Sequence, residues 1–415
     1  MSTTKTIKLS PTPELIPTRD GFGKGVVRAG KQNKNVVVLC ADLTESTRCL
    51  WFKEQFPNRF VEIGVAEQNM ASVAAGMALV GKIPFIASYA VFSPGRNWEQ
   101  IRTTICYNDA NVKIIGAHAG LSVGPDGATH QALEDVALMR ALPNMTVIVP
   151  CDAVEAEKAT LAIAKHKGPC YLRLAREKTP VMTTQQTQFV IGKADIFWES
   201  EHPKVAILAN GALVHEALVA AQELEHEGVQ TIVINNHTIK PLDRETILAV
   251  ARRCGAIVTA EEHQIIGGMG SAVAEFLSKT FPVPMRLIGV HDSFGESGQP
   301  AELMNKYQLT SKHIMLAVTD LLKHKHSFEQ LPPAHRETTS AFQLHSGGTL
   351  RTIHSLYTAL HEMPHETFAH HVAEGKNDFA TWISDVFKDQ KLATAVQRCG
   401  TKEELMSTLQ QRLKL

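Results

Sequence analysis

With 415 residues the chain has room for about two to four domains of ordinary size, each with its own core. Its 42 Lys+Arg and 42 Asp+Glu cancel, and 44% hydrophobic with 20% charged residues is a globular balance, so net charge gives no hold on nucleic acid or an acidic membrane surface. Seven cysteines, an odd number with no C-x-x-C pair, make neither a disulfide framework nor a zinc site and point to a reducing cytoplasm.

The opening residues, MSTTKTIKLSPTPELIP, hold no apolar run of the kind found in a secretory signal. From residue 34 to 175, short β-branched runs alternate with longer amphipathic ones. Strands are expected at Val36–Cys40, Phe60–Gly64, Pro84–Ser88, Val112–Ala117, Thr146–Val149 and Cys170–Leu174. Helices are expected at Asp20–Lys31, Ala66–Val80, Gly95–Asn108, Leu133–Leu142 and Asp152–Lys165, with Asp152 an N-cap and Pro143-Asn144 a stop. The most apolar stretch, 71–92, is broken by Gly81, Lys82 and Pro84, short of the about 20 apolar residues a membrane span needs. Such alternation argues for a mainly parallel sheet covered on both faces.

Residues 183–203 read as a polar linker crossed by one short apolar run. Strand–helix alternation restarts with Val205–Ala209, helix Leu213–Glu227, Thr231–Ile234, helix Arg244–Arg253, Ile257–Ala260, helix Met269–Lys279 and Met285–Val290, and ends in a helix near Thr310–Lys323. His324–Ser340, with Pro332-Pro333, reads as a second linker, and helices are expected beyond it at Ser355–Glu362, Phe379–Phe387, Lys391–Arg398 and Lys402–Leu413. The expected division is therefore 1–185, 200–324 and 341–415: two successive mainly parallel α/β domains, then a small helical appendage.

In open α/β sheets ligands bind beyond the carboxyl ends of the strands. There the sequence places ADLTES, VAEQN, YAVF, HAGLSVGPDGATHQ and AREK, which bring Asp42, Ser46, Glu67, Tyr89, Phe92, His118, Asp126, His130 and Arg176 toward one edge. Each alone has a plainer reading. Glu67 would be a first-turn acid favouring the helix dipole. Tyr89 and Phe92 would be core packing, Asp42 and Asp126 turn formers, the arginines surface ion pairs. Their convergence is what favours a site. The glycines and proline of GPDGATHQ make a tight turn that can bring backbone N–H groups to a ligand, and it is not a Walker-type GxxxxGK[ST] loop.

Together these segments resemble the C-terminal half of transketolases. FVEIGVAEQNM is similar to the family's pyrimidine-domain motif. GLSVGPDGATHQALEDVALMRALPNMTVIVPCDAVEA is similar to its substrate loop and the helix and strand after it, and AEEHQIIGGMGSAVAE and FGESG to its C-terminal domain. The likeness runs from about Ile16 to Leu322. The family holds thiamine diphosphate at a subunit interface: one domain binds the diphosphate and Mg2+ through a GDG motif, the other meets the aminopyrimidine ring. The sequence contains no GDG. The resemblance therefore implies the C-terminal subunit of a split transketolase. An N-terminal partner would carry the diphosphate and Mg2+ site, in a dimer of heterodimers, or heterotetramer. The substrates would be sugar phosphates of the pentose phosphate pathway. No metal ligand is assigned in this chain.

Carried over residue by residue, Glu67 matches the glutamate that touches the aminopyrimidine and favours its imino tautomer, whose nitrogen takes the thiazolium proton. Holding a proton there is eased by burial against apolar neighbours. Tyr89 and Phe92 match the aromatic positions against the ring, and Asp42 an acid on the cofactor side. Arg19, Ser46 and Arg176 match groups that hold the sugar phosphate, a role for which a guanidinium fork is well shaped. His118, Asp126 and His130 match contacts to the sugar hydroxyls and reacting carbonyl, where near-neutral imidazoles can shuttle protons. The sequence departs from the family pattern twice: Tyr89 replaces a common phenylalanine, and Pro125 stands where GEDG has glutamate.

Deoxyxylulose-phosphate synthase shares the DGxTHQ loop, but it is one long chain and tends to carry arginine at the position of His118. The beta subunit of 2-oxo-acid dehydrogenases is a separate pyrimidine-domain chain without a DGATHQ loop. A non-catalytic binding or regulatory relative is the reading from another class. The segment ETFAHHVAEGKNDFATWISDVFKDQKLATAV resembles a small domain of unknown function. Its histidines, His361, His365, His370 and His371, allow a metal reading in which His361 and His365 share a helical face, against Pro364. A helical interaction module, with Phe368, Phe379, Trp382 and Phe387 as its core, is the favoured one.

Overall fold

Short β-branched runs without a polar face are buried as strands covered on both sides. In the computed structural model, which describes residues 7, 9–329, 340–373 and 375–413, most of these runs do so. The chain divides into two units, Met1–Leu322 and Lys323–Leu415.

The first unit begins with β1 (Leu15–Pro17), α1 (Thr18–Gln32), β2 (Val36–Cys40), α2 (Cys49–Gln55), β3 (Phe60–Glu62), α3 (Glu67–Leu79) and β4 (Ile83–Tyr89). It continues with α4 (Trp98–Gln100), β5 (Lys113–Ala117), α5 (Asp135–Arg140), β6 (Thr146–Ile148), α6 (Ala153–Lys165), β7 (Cys170–Arg173) and β8 (Lys178–Pro180). Then come β9 (Asp195–Glu199), β10 (Val205–Ala209), α7 (Leu213–His226), β11 (Thr231–Asn235), β12 (Thr238–Lys240) and α8 (Arg244–Cys254). Last are β13 (Ile257–Gln264), α9 (Met269–Leu277), β14 (Met285–Val290), α10 (Pro300–Lys306) and α11 (Ser311–Glu329), whose residues from Lys323 on fall in the second unit.

One sheet has seven strands in the order β12-β6-β7-β5-β4-β2-β3 and another has five in the order β14-β13-β10-β11-β9. Pairing is parallel except at β12 and β9, which run antiparallel at the edges. Alternation along β2 shows how the first sheet is filled: Val36, Val38 and Cys40 enter one layer, Val37 and Leu39 the other. The second of these layers continues into Leu208, Ile232 and Ile234 of the second sheet and Ile247 of α8, so the two sheets share one core.

Several expectations are corrected. The linker at 183–203 contains β9, because Ile196 and Phe197 pack inward on the second sheet. Thr238–Lys240, unassigned from sequence, crosses over as β12 and pairs with β6 of the first sheet. The helix expected at Gly95–Asn108 starts at Trp98 and becomes π-helical over Ile101–Cys106, where the Thr103 and Thr104 hydroxyls donate to the carbonyls of Glu99 and Gln100 at 2.9 and 2.6 Å. The helix expected at Leu133–Leu142 begins only at Asp135, since Ala132 bridges to Ala119. Asp152 does cap α6, accepting the Glu155 N–H at 2.8 Å. The expected linker at His324–Ser340 is helical to Glu329, and its Pro332-Pro333 lies outside the described residues.

The second unit is mainly helical: α12 (Ile353–Glu362), α13 (His365–His371), α14 (Asp378–Phe387), α15 (Gln390–Gln397) and α16 (Lys402–Leu413). It also has two short hairpins absent from the expectation, Phe342–Gln343 with Thr349–Leu350 and Val372–Ala373 with Lys376–Asn377. Phe368, Phe379 and Trp382 are buried in its core, with Phe387 packed against it. Pro364 caps the start of α13, so His361 and His365 lie on different helices and the shared helical face is not formed. Among the described residues no helix is long and apolar enough to cross a membrane.

Candidate active site

Glu67 is the first residue of α3, directly after the turn that leaves β3, and is 1% exposed. Its neighbours are not only apolar. The Arg96 guanidinium donates to Glu67 Oε2 at 2.7 Å, Ser88 Oγ lies 3.5 Å from Oε1, and Asn97 donates to the Glu67 carbonyl at 3.1 Å. Arg96 also sits over the Phe92 ring, 4.8 Å from its centroid, and remains 46% exposed. A buried carboxylate is thus held by one partly solvated cation.

The end of β4 sets Tyr89 and Phe92 nearly parallel, with centroids 6.1 Å apart at 16°. The end of β5 sets His118 on the Tyr89 ring at 3.9 Å, and His130 stands edge-on to Phe92 at 5.5 Å. His118 takes a left-handed backbone (φ 53°), as Asp42 does (φ 56°), a strained state of the kind that clusters at functional sites. Arg19 Nη1 reaches the Ser46 carbonyl at 3.0 Å and His118 Nε2 at 3.1 Å. A guanidinium only donates, so Nε2 accepts and the ring proton lies on Nδ1, which is buried without a partner. Burial, with Arg19 and Arg176 nearby, pushes the His118 imidazole down to about 3, so it stays neutral at physiological pH. Arg176 donates to the Val123 carbonyl at 2.5 Å.

The loop carrying Asp126 and His130 is anchored from the second sheet's side. Gln131 Nε2 donates to the carbonyls of Leu121, Gly124 and Glu296 at 3.1, 3.3 and 2.9 Å. Glu262, at the end of β13, accepts the Ser122 N–H at 2.6 Å. A side chain at Gly120 would meet Glu262 Oε1 at 2.3 Å, and Gly120 has φ 90°, so only glycine serves there. Arg173, buried against Asp135 at 2.8 Å, also donates to the carbonyls of Ala132 and Glu262 at 3.1 and 2.8 Å. Although burial alone would raise Asp135, Arg173 holds its carboxyl below the usual range.

Residues 14–182 match the family model described as transketolase, pyrimidine binding domain, and residues 192–314 match transketolase, C-terminal domain. The chain is 42% identical over 308 residues to a protein of Methanocaldococcus jannaschii named as a transketolase C-terminal section, covering 74% of this chain and 96% of that one. The chain belongs to the transketolase family. A 6-deoxy-6-sulfo-D-fructose transketolase subunit of a Clostridium species is 40% identical, covering 74% of this chain and 95% of its own. A solved structure described as a split-gene transketolase, inactive beta4 tetramer, is 46% identical with a TM-score of 0.70, covering 75% of this chain and 99% of that one. This transketolase chain thus has C-terminal sections of split transketolases as homologues, and its α/β fold is theirs. The transketolase models stop at 314, so the helical unit lies beyond them.

Of the residues singled out from sequence, the fold brings Arg19, Ser46, Tyr89, Phe92, His118 and His130 into one connected cluster. Glu67 enters it through Arg96, which sits over Phe92. Asp42 and Asp126 are exposed, Asp42 held by its backbone N–H on Glu62 Oε1 at 2.8 Å and Asp126 at the loop tip. Arg96, Glu62 and Glu262 were missed. Glu62 accepts from Thr44 Oγ1 at 2.6 Å and from the Asp42 and Gly64 N–H groups at 2.8 and 3.1 Å, joining two strand-end loops. Against the desolvation that burial brings, these bonds hold Glu62 below the usual carboxylate range. The one legible signal was Arg96, a cation four residues after Phe92 in FSPGR.

Proposed function

We propose that this chain is the C-terminal, pyrimidine-binding subunit of a split transketolase that, with an N-terminal subunit, moves a two-carbon ketol unit from a ketose phosphate to an aldose phosphate. The observation that carries the reading is the buried Glu67 carboxylate on the same sheet edge as the parallel Tyr89–Phe92 pair. Such a site fits a flat, hydrogen-bonding aminopyrimidine. In this reading the partner carries the diphosphate and Mg2+, in keeping with the lack of a GDG motif in this chain. Thiamine diphosphate, when bound, supplies the electron sink that stabilises a carbanion.

The chain's own residues then divide the work. Glu67 holds a proton or hydrogen bond at the ring nitrogen, and Arg96 swings off Oε2 to allow it. Tyr89 and Phe92 orient the ring, and Asp42 lines the cofactor side. His118 is a neutral donor through Nδ1–H toward a substrate oxygen, His130 relays protons beside it, and Asp126 binds a hydroxyl. Arg19 and Arg176, with Ser46, hold the sugar phosphate. We further propose the division 1–185, 200–324 and 341–415, a dimer of heterodimers, and a cytoplasmic place in the pentose phosphate pathway, in keeping with seven free buried cysteines.

The test is a coupled assay of this chain with a candidate N-terminal subunit, thiamine diphosphate, Mg2+, xylulose 5-phosphate and ribose 5-phosphate. Glyceraldehyde 3-phosphate is expected only when both chains are present, in keeping with a relative whose beta4 tetramer is described as inactive. A mixture that assembles but turns over no ketose donor would overturn the reading. Because one relative is named for 6-deoxy-6-sulfo-D-fructose, that sugar is the second donor to run.

A further inference from the structure

A second polar constellation lies where the two sheets meet, on residues the proposed function does not use. His237, in the turn between β11 and β12, is 0% exposed, with the Phe189 ring tilted against it at 4.3 Å. Its Nδ1 is 2.9 Å from Thr238 Oγ1, and its Nε2 is buried without a hydrogen-bond partner. Nε2 lies 3.6 Å from Asp195 Oδ2, which is also buried without a partner. Glu155, 2% exposed, completes a trio whose ligand atoms all lie within 4.8 Å of one another.

We propose that Glu155, Asp195 and His237 form a structural site for a zinc-like divalent cation. The separation is too long for a hydrogen bond between imidazole and carboxylate. It is close to the about 3.4 Å between neighbouring ligands of a tetrahedral ion with bonds of about 2.1 Å. The surrounding bonds are those that orient metal ligands. Thr238 Oγ1 can accept a proton from Nδ1, the tautomer that metal binding at Nε2 requires, and Glu155 is steadied by the Cys151 N–H at 2.6 Å and Asn235 Nδ2 at 2.7 Å.

The charges nearby leave the position open. The Asp152 carboxylate is occupied by the N–H groups of Glu155, Met182 and Thr183. Lys158 donates to the carbonyls of Thr184 and Thr187. The mixed nitrogen–oxygen donor set favours zinc over the oxygen-only surroundings of Mg2+. Glu155 opens α6, Asp195 lies on β9, and His237 precedes β12, the strand that pairs with the first sheet, so the cation would staple the two matched domains together.

The test uses the full chain, stripped with chelator and titrated with Zn2+ by calorimetry. One equivalent should bind, and Tm should rise by about 5 °C at a hundredfold excess over Kd. His237→Ala should abolish both effects, and Asp195→Asn should weaken affinity by about 10–100-fold while leaving the circular dichroism spectrum unchanged. If His237→Ala does not fold, Asp195→Asn carries the test. Absence of Zn2+ binding to the wild type would overturn the proposal, as would unaltered binding in Asp195→Asn. Loss of binding only in His370→Ala/His371→Ala would overturn it too, by moving the metal to the helical unit.

Discussion

Both units of this molecule pack an imidazole among aromatic rings, and the two imidazoles differ in how fully their nitrogens are partnered. In the first unit His118 stacks on Tyr89 at 3.9 Å, accepts from Arg19, and keeps a buried Nδ1 without a partner. In the second, His371 lies 4.9 Å from Phe342 and 5.3 Å from Phe379, but both its nitrogens are committed: the His345 N–H lies 3.0 Å from Nε2 and Asp378 Oδ2 lies 3.1 Å from Nδ1. Residue type is the same and surroundings are similar. In the proposed reading, what separates a reactive position from a structural one is the polar atom that the fold leaves unsatisfied, because leaving it so costs stability that a bound ligand would recover.

The contrast between reactive and structural positions is tested hardest at Glu67. Glu67→Gln removes the carboxyl's proton chemistry but keeps its shape, so turnover with the partner subunit should fall on the order of 10³-fold while gel filtration shows unchanged assembly. Normal turnover would return Glu67 to the rank of a helix-start acid. Next is Gln131→Ala. It releases three carbonyls that fix the loop bearing His130, so kcat/KM should drop roughly 10- to 100-fold through misplacement, with the circular dichroism spectrum intact.

The pH response of His118 adds a third measure. Its folded value, about 3, lies below the unfolded 6.5, so between these limits the unfolded chain binds the extra proton. Stability from this group is therefore complete above about pH 6.5 and declines as pH falls toward 3, by up to about 1.4 kcal/mol per pH unit. As pH is lowered from 7 to 4, urea midpoints should fall less steeply in His118→Asn than in the wild type. An identical slope would mean that the imidazole is not held neutral. The smallest effect is expected at Asp378→Asn. It should lower the stability of the second unit by about 1 kcal/mol, given partial exposure, and leave ketol transfer with the partner subunit unaltered. A loss of transfer would show that the helical unit is not merely structural.

How far the site could be read from sequence depends on the element that positions each residue. Glu67, Tyr89, His118 and Arg176 come just after strands of clear apolar character, and a parallel sheet delivers the residues beyond its strands to one edge whatever the details. Glu262 and Gln131 were illegible as anchors because they act across sequence gaps of 140 and 165 residues, through backbone groups that carry no side-chain signature. β12 was illegible because three residues, TIK, have no periodicity to read.

By itself, then, the sequence determined the alternation of strands and helices, the edge where ligand groups gather and the family likeness, since these rest on local periodicity and short contiguous motifs. The tertiary structure alone decided which of those groups meet. It put Arg96 on Glu67 and Arg19 on His118, clamped the loop that bears His130 with Glu262, and set His237 beside Asp195 and Glu155. Such pairings depend on burial and distance between segments remote in the chain, and no local pattern encodes those.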